Sequence, residues 1–193
     1  PAVKNRVIWG DLVPYNRVWR SGANNATTVE FSSKVQIDGM ELDSGKYALF
    51  IIPHKNDEWT VVFNKVHQQW GAFKYDKKED ALRVDILPRR TDFPTEHLTY
   101  SIRQVGYKYG SILLKWEYLE IEIPFETNYL KQFEQEVESR AMQQPAYIKW
   151  IVYLQGAEHL LQIKSNDSLA LSWINQAEKI MDSTSEWNEQ FYP

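Results

Sequence analysis

Gly10–Ser32 reads GDLVPYNRVWRSGANNATTVEFS, and within it the chain stops being irregular and becomes a sheet. The first part is neither a plain helix nor a plain strand. Pro14 fixes φ and removes a backbone donor, Gly10 and Gly22 permit angles that other residues avoid, and Asn24 and Asn25 invite side-chain-to-backbone turns. The consequence is an ordered, non-repetitive loop. In the last part, Thr27-Thr28-Val29-Glu30-Phe31, apolar Val29 and Phe31 alternate with polar neighbours, as a half-buried strand requires. A loop carrying Tyr15, Trp19, Arg20 and two asparagines just before a strand is either a recognition surface or a plug over one end of a barrel. Buried aromatics usually serve packing.

Downstream, strands follow quickly. Val35 and Ile37 lead to Asp38-Gly39, a strong two-residue hairpin signal, and Met40 and Leu42 follow it. Tyr47–Ile52 is nearly continuous apolar sequence, which predicts a strand covered on both faces. Trp59, Val61 and Phe63 alternate with polar or smaller neighbours, as do Leu82, Val84 and Ile86, then Leu98, Tyr100 and Ile102. Ile112, Leu114 and Trp116 form one further run, and Ile121, Ile123 and Phe125 another. Between Asn64 and Asp80 the periodicity fails over Trp70, Gly71, Phe73 and Tyr75, giving a long aromatic loop of a length that is often functional. Short strands joined by tight turns argue an antiparallel β-sandwich or flattened barrel.

Near Pro124–Asn128 the period changes. Leu130, Phe133, Val137 and Ala141 fall at helical spacing, as do Ile148, Ile151, Leu154, Ala157 and Leu161, and then Ala170, Trp173, Ala177 and Ile180. Three helices are expected, with Pro145 between the first two and the cap-rich Ser165-Asn166-Asp167-Ser168 before the third. The charge shifts as well: residues 126–193 hold 5 basic and 10 acidic residues, residues 1–125 hold 17 and 16. The chain thus reads as α+β, a β domain over 1–125 followed by an acidic helical tail over 126–193.

Composition excludes several classes. The 193 residues carry 22 basic and 26 acidic side chains, net −4, with no basic run suited to a phosphate backbone, so nucleic acid is not an expected partner. No apolar run approaches the ~20 residues that span a bilayer. There is no Cys, hence no disulfide, thiolate nucleophile or Cys metal site. The sequence starts at Pro1 without Met, and an upstream segment, such as a signal peptide, is expected to have been removed. Eight Trp suit a sandwich core or a carbohydrate-binding face.

Catalytic motifs are missing. GMELDSGK, Gly39–Lys46, has five residues between its glycines where a phosphate loop has four, and Tyr47 where it has Ser or Thr. His54, His67, His97 and His159 lack ligand spacing, and no metal or cofactor is expected. Glu120 and Glu122 share a strand face but read as a solvated face rather than an acid and base pair. Asn25-Ala26-Thr27 and Asn166-Asp167-Ser168 match the glycosylation sequon, a weak signal.

Two constellations remain. Tyr15, Trp19, Arg20 and Asn24 of the first loop could meet Asn64, Trp70 and Tyr75 of the second at one end of the sandwich, a make-up suited to a small-molecule or sugar site; the competing reading is an internal cap. In the tail, Trp150, Leu154, Trp173 and Phe191 are candidates for a protein-partner groove, the competing reading being that these helices pack on each other.

IWGDLVPYNRVWRSGANNATTVEFS, DSGKYALFIIP, DEWTVVFNK and QWGAFKYD resemble successive blocks of the bacterial domain-of-unknown-function family 2911 over Pro1–Phe125, most specifically at Val18–Asn24. The helical end, with Trp150, Ala157, Ala170 and Trp173, is similar to the tetratricopeptide-like tail of longer members. The resemblance implies a β-sandwich and an exported, periplasmic location, and supplies neither an activity nor catalytic residues. The reading is therefore a non-enzymatic ligand-binding or protein-interaction module, the alternative being a hydrolase acting on a small molecule or sugar.

Overall fold

The computed structural model describes the backbone of residues 1–191 and the side chains of residues 1–183. It divides into two units, Pro1–Asn128 and Tyr129–Pro193. The first holds eight strands: β1 (Thr28–Phe31), β2 (Val35–Ile37), β3 (Met40–Leu42), β4 (Gly45–Ile52), β5 (Trp59–Asn64), β6 (Asp80–Ile86), β7 (Arg89–Val105) and β8 (Tyr109–Thr127). They form two antiparallel sheets, β1-β4-β5-β6 and β3-β2-β8-β7, with no closed barrel.

Alternation decides which face each side chain serves. On β4 and β5, Tyr47, Leu49, Ile51, Trp59, Val61 and Phe63 point into the layer between the sheets. There they meet Ile37 and Leu42 from β2 and β3, and Ile112, Leu114, Trp116, Ile121 and Ile123 from β8. Ala48, Phe50 and Val62 face the other way, into a second small apolar layer that includes Ala26 and is flanked by Val18, Ala72 and Tyr75. The middle of the first sheet is thus covered on both faces, as its continuous apolar sequence requires. The Asp38-Gly39 hairpin forms with φ of +52° and +72° and Ile37 opposite Met40, the left-handed pair that a two-residue turn demands.

A straight strand of β8's length would span about 60 Å, yet Thr127 N donates to Lys108 O at 2.7 Å. The strand therefore doubles back, at Glu117, whose φ is +53°. Its two halves run side by side, with Lys115 bridged to Glu120 and Lys108 to Glu126. Gly110 lies under the Phe125 ring, where a Cβ would sit 2.5 Å from Cζ. The core residues change from even to odd numbers across this turn, which explains the two separate apolar runs.

In the second unit, α1 (Tyr129–Met142), α2 (Lys149–Gln162) and α3 (Asp167–Phe191) enclose a core of Val137, Ala141, Tyr153, Ala157, Leu160, Trp173 and Ala177. Gly156 lets α3 approach, because a Cβ there would lie 2.9 Å from Cζ3 of Trp173. Asn166 caps α3 by accepting from Leu169 N. Among the described residues no helix is long and apolar enough to cross a membrane.

Candidate functional site

Residues 1–19 plug the space beside the two sheets, with Ile8, Val13 and Trp19 buried in the core between them. Trp19 exchanges two backbone hydrogen bonds with Ile51 of β4, which turns its indole inward to stack on Trp116 at 5.8 Å and 17°. Trp9 closes the cluster edge-on, 4.6 Å from Trp59 and 5.7 Å from Trp19. Tyr15 packs half-buried on the same core, its ring so close to Gly10 that a Cβ would sit 2.7 Å from Cε2.

Beyond Trp19 the edge strand is interrupted by a closed loop. Thr27 N donates to Arg20 O at 3.2 Å and Leu49 N to Thr27 O at 2.7 Å, so the chain leaves β4 after Trp19 and rejoins it at Thr27. Thr27 Oγ1 donates to Ser21 O, Ser21 is fully buried, and a Cβ on Gly22 would lie 2.6 Å from Thr27 Oγ1. Tyr100 reaches across from β7 to donate its hydroxyl to Ser21 O at 2.7 Å. Burial pushes the Tyr100 phenol well above its ordinary value near 10. Arg20 is half-buried, and its Nε is buried without a hydrogen-bond partner.

The aromatic loop docks on this closed loop through its backbone. Ala26 N donates to Gln69 O and Gly71 N to Asn24 O, and Asn25 bridges Trp70. Its far end is pinned by a buried polar network. Fully buried Asn64 donates to Asp76 O and to Asp80 Oδ1, while Asp80 Oδ2 accepts from the Tyr75 hydroxyl and from Arg83, both at 2.8 Å. Every member has its partner. Asp80 and Arg83 carried no sequence signal, since one opens a strand as a turn residue would and the other falls at an ordinary polar position of β6.

Between the two pinned ends lies a solvent-open cleft of about 440 Å³, lined by Asn25, Ala26, Thr28, Lys46, His67, Gln68, Gln69 and Trp70. Trp70 is 60% exposed at its rim. Gln69 is committed to Val66 O and Lys74 N. Asn25, Thr28, Lys46 and Gln68 have no hydrogen-bonded side-chain partner among the described residues. Of the seven residues singled out in the sequence, Trp70 lines this cleft, Asn24 does not line it but accepts from Gly71 N through its carbonyl, and Arg20 lies in the closed loop. Asn64 and Tyr75 sit together in the network, Tyr15 and Trp19 in the plug.

Glu120 and Glu122 form an ion-pair ladder on the outer face of the second sheet. Glu120 meets Lys115 at 2.7 Å and Arg89 at 2.5 Å, and Glu122 meets Ser111, Arg103 and Arg89. Lys115 and then Arg89 hold the Glu120 carboxyl below the ordinary carboxylate value, and Ser111 and then Arg103 do so for Glu122. Depressed carboxyls contribute stability that is complete above their unfolded value of 4.5 and is lost as pH falls through the lower folded values. The raised Tyr100 phenol contributes stability present below pH 10 and lost above it. Thermal melting across pH should therefore show a plateau that declines below about pH 4.5 and above about pH 10; Tyr100→Phe should shrink the alkaline limb, to which the raised Tyr47, Tyr75 and Tyr153 phenols also contribute, and leave the acidic limb unchanged.

A family model matches residues 1–125, the β unit through nearly all of β8. The chain belongs to the family described as Protein of unknown function (DUF2911). No curated protein and no solved structure matches the chain. The DUF2911 match takes in the Trp plug, the closed loop and the cleft, and it ends before the helices. Among the described residues no group of three or more His, Asp or Glu could hold a metal.

Proposed function

We propose that the DUF2911 unit is a non-enzymatic binding module whose ligand is a saccharide seated on Trp70. The observation that carries this is the exposed indole at the rim of a cleft whose other walls offer uncommitted amide, hydroxyl and ammonium groups. A pyranose presents an apolar C–H face and a hydroxyl rim, so it needs one flat apolar wall and several hydrogen-bonding ends. The backbone contacts from Asn24 and Gln69 hold that geometry in advance, which lowers the ordering cost of binding. No carboxylate lines the cleft, which favours binding over sugar hydrolysis by a carboxyl pair.

Calorimetric titration of the full chain with a panel of neutral and acidic oligosaccharides tests the reading. Trp70→Ala is expected to weaken any sugar that binds by about tenfold or more, some 1.4 kcal/mol. Its melting temperature should stay near wild type, because an exposed side chain contributes within about 0.5 kcal/mol. A bound sugar indifferent to Trp70→Ala would place the site elsewhere.

A second reading concerns the helical unit. Trp173 is buried, its Nε1 donating to Glu138, and Trp150 and Leu154 pack half-buried against that core; the Phe191 side chain lies outside the described residues. Exposed apolar residues instead recur at Ile151 and Leu161 on α2, and at Leu171, Ile174 and Met181 on α3. With the exposed Glu158 on α2 and Glu178 on α3, these residues suit a basic amphipathic helix of a partner, as a tetratricopeptide-like surface would. Leu171→Ser should leave melting unchanged and abolish such binding in sedimentation. We also take the protein to be exported, on the family resemblance; fractionation of cells expressing the full gene tests this.

A further inference from the structure

The cleft beside Trp70 carries one sign of charge. Lys46 and His67 line it, and no Asp or Glu does. Lys46 also differs from the lysines around the second sheet. Lys34 pairs with Glu41 and Asp43, Lys108 with Glu126 and Lys115 with Glu120, whereas Lys46 has no ion-pair partner among the described residues. Glu30 stands opposite it in the β1–β4 ladder without closing to an ion pair. His67 is oriented through Nδ1, 3.3 Å from Lys65 O, which leaves Nε2 uncommitted. An ammonium on one wall, an indole at the rim and amides around them define a site for a ring that bears an anion.

Resting on the saccharide reading above, we infer that the ligand is an acidic saccharide whose ring stacks on Trp70 and whose carboxylate or phosphate meets the Lys46 ammonium. A cleft of one sign raises the local concentration of opposite charge and favours the charged member of two otherwise equal ligands. The preference is screened by salt, because Lys46 is exposed. Trp70 thus supplies affinity for sugars in general, and Lys46 selects among them.

The test is calorimetry on the full chain with neutral hexose and N-acetylhexosamine disaccharides. Each is set beside the same disaccharide carrying a C6 carboxylate or a C6 phosphate. At low salt at least one acidic member should bind about tenfold tighter than its neutral parent, and the gap should shrink at high salt. Lys46→Gln should remove the gap between the acidic member and its neutral parent, both measured on the variant. The carboxylate and phosphate arms tell which anion the cleft takes. Neutral and acidic members bound equally, or a preference that survives Lys46→Gln, would overturn the inference and leave the saccharide reading standing. A panel in which nothing binds removes both.

Discussion

Trp19→Ala should cost the β unit about 3–5 kcal/mol, the range for truncating a buried large aromatic. Trp19 is 9% exposed and touches Trp9 and Trp116, so its removal opens a cavity against those two rings and not at a surface. The backbone pairing with Ile51 survives the substitution, so the loss belongs to the side chain. With a urea slope of about 2 kcal/mol/M, the unfolding midpoint should fall by about 2 M. A midpoint within 0.3 M or so of wild type, which is about 0.6 kcal/mol at that slope, would mean that the plug is not part of the cooperative core. Paired with Trp70→Ala, the substitution separates the two tryptophans by role: one melts the fold, the other empties the cleft.

Asp80→Ala should cost about 2–4 kcal/mol, because it strands three donors at once. Asn64 Nδ2, the Tyr75 hydroxyl and Arg83 all donate to this carboxylate, whose side chain is only 5% exposed. Arg83 is 31% exposed and recovers some solvation, which holds the expected loss below that of a fully buried ion pair. The same network pins the far end of the loop that carries Trp70. Asp80→Ala should therefore also weaken ligand binding at temperatures where the protein remains folded, although Asp80 does not line the cleft. Asp80→Asn keeps an acceptor for Asn64 and should recover part of both losses. Hydrogen exchange reads the coupling directly: faster exchange at Gly71 and Lys74 in Asp80→Ala would show the loop released, and unchanged exchange there would confine the network to β5 and β6.

How much of this was legible in the sequence depends on the range of the interaction. Asp38-Gly39 announced its hairpin because a two-residue turn needs two left-handed residues and these types adopt that conformation readily. Tyr47–Ile52 announced burial on both faces because no polar residue interrupts it. The end of Ile112–Trp116 and the start of Ile121–Phe125 were visible as a change of parity, although Glu117 carries no turn signature of its own. What could not be read was assignment between roles. Trp19 and Trp70 are both aromatic residues in loops beside asparagines. Only the pairing of Trp19 with Ile51, 32 positions away, and of Trp70 with Asn25, 45 positions away, turns one inward and leaves the other out. Lys46 and His67 stayed hidden for the same reason, since nothing local marks a strand lysine as lacking a counter-charge.

The excursion between Trp19 and Thr27 also bears on solubility. A sheet that ends in a long, regular strand offers other molecules a row of unused amides on which to add their own strands, the first step toward fibrils. Here the border of the first sheet offers only Thr28–Phe31 and one hydrogen bond at Thr27 before the backbone swings away, and its next contact with β4 is the single bridge at Trp19. Seven residues that look like an insertion thus break the one straight border this sheet would otherwise present at β1, and shortening them to a continuous strand should make the protein more prone to aggregate as it becomes more regular.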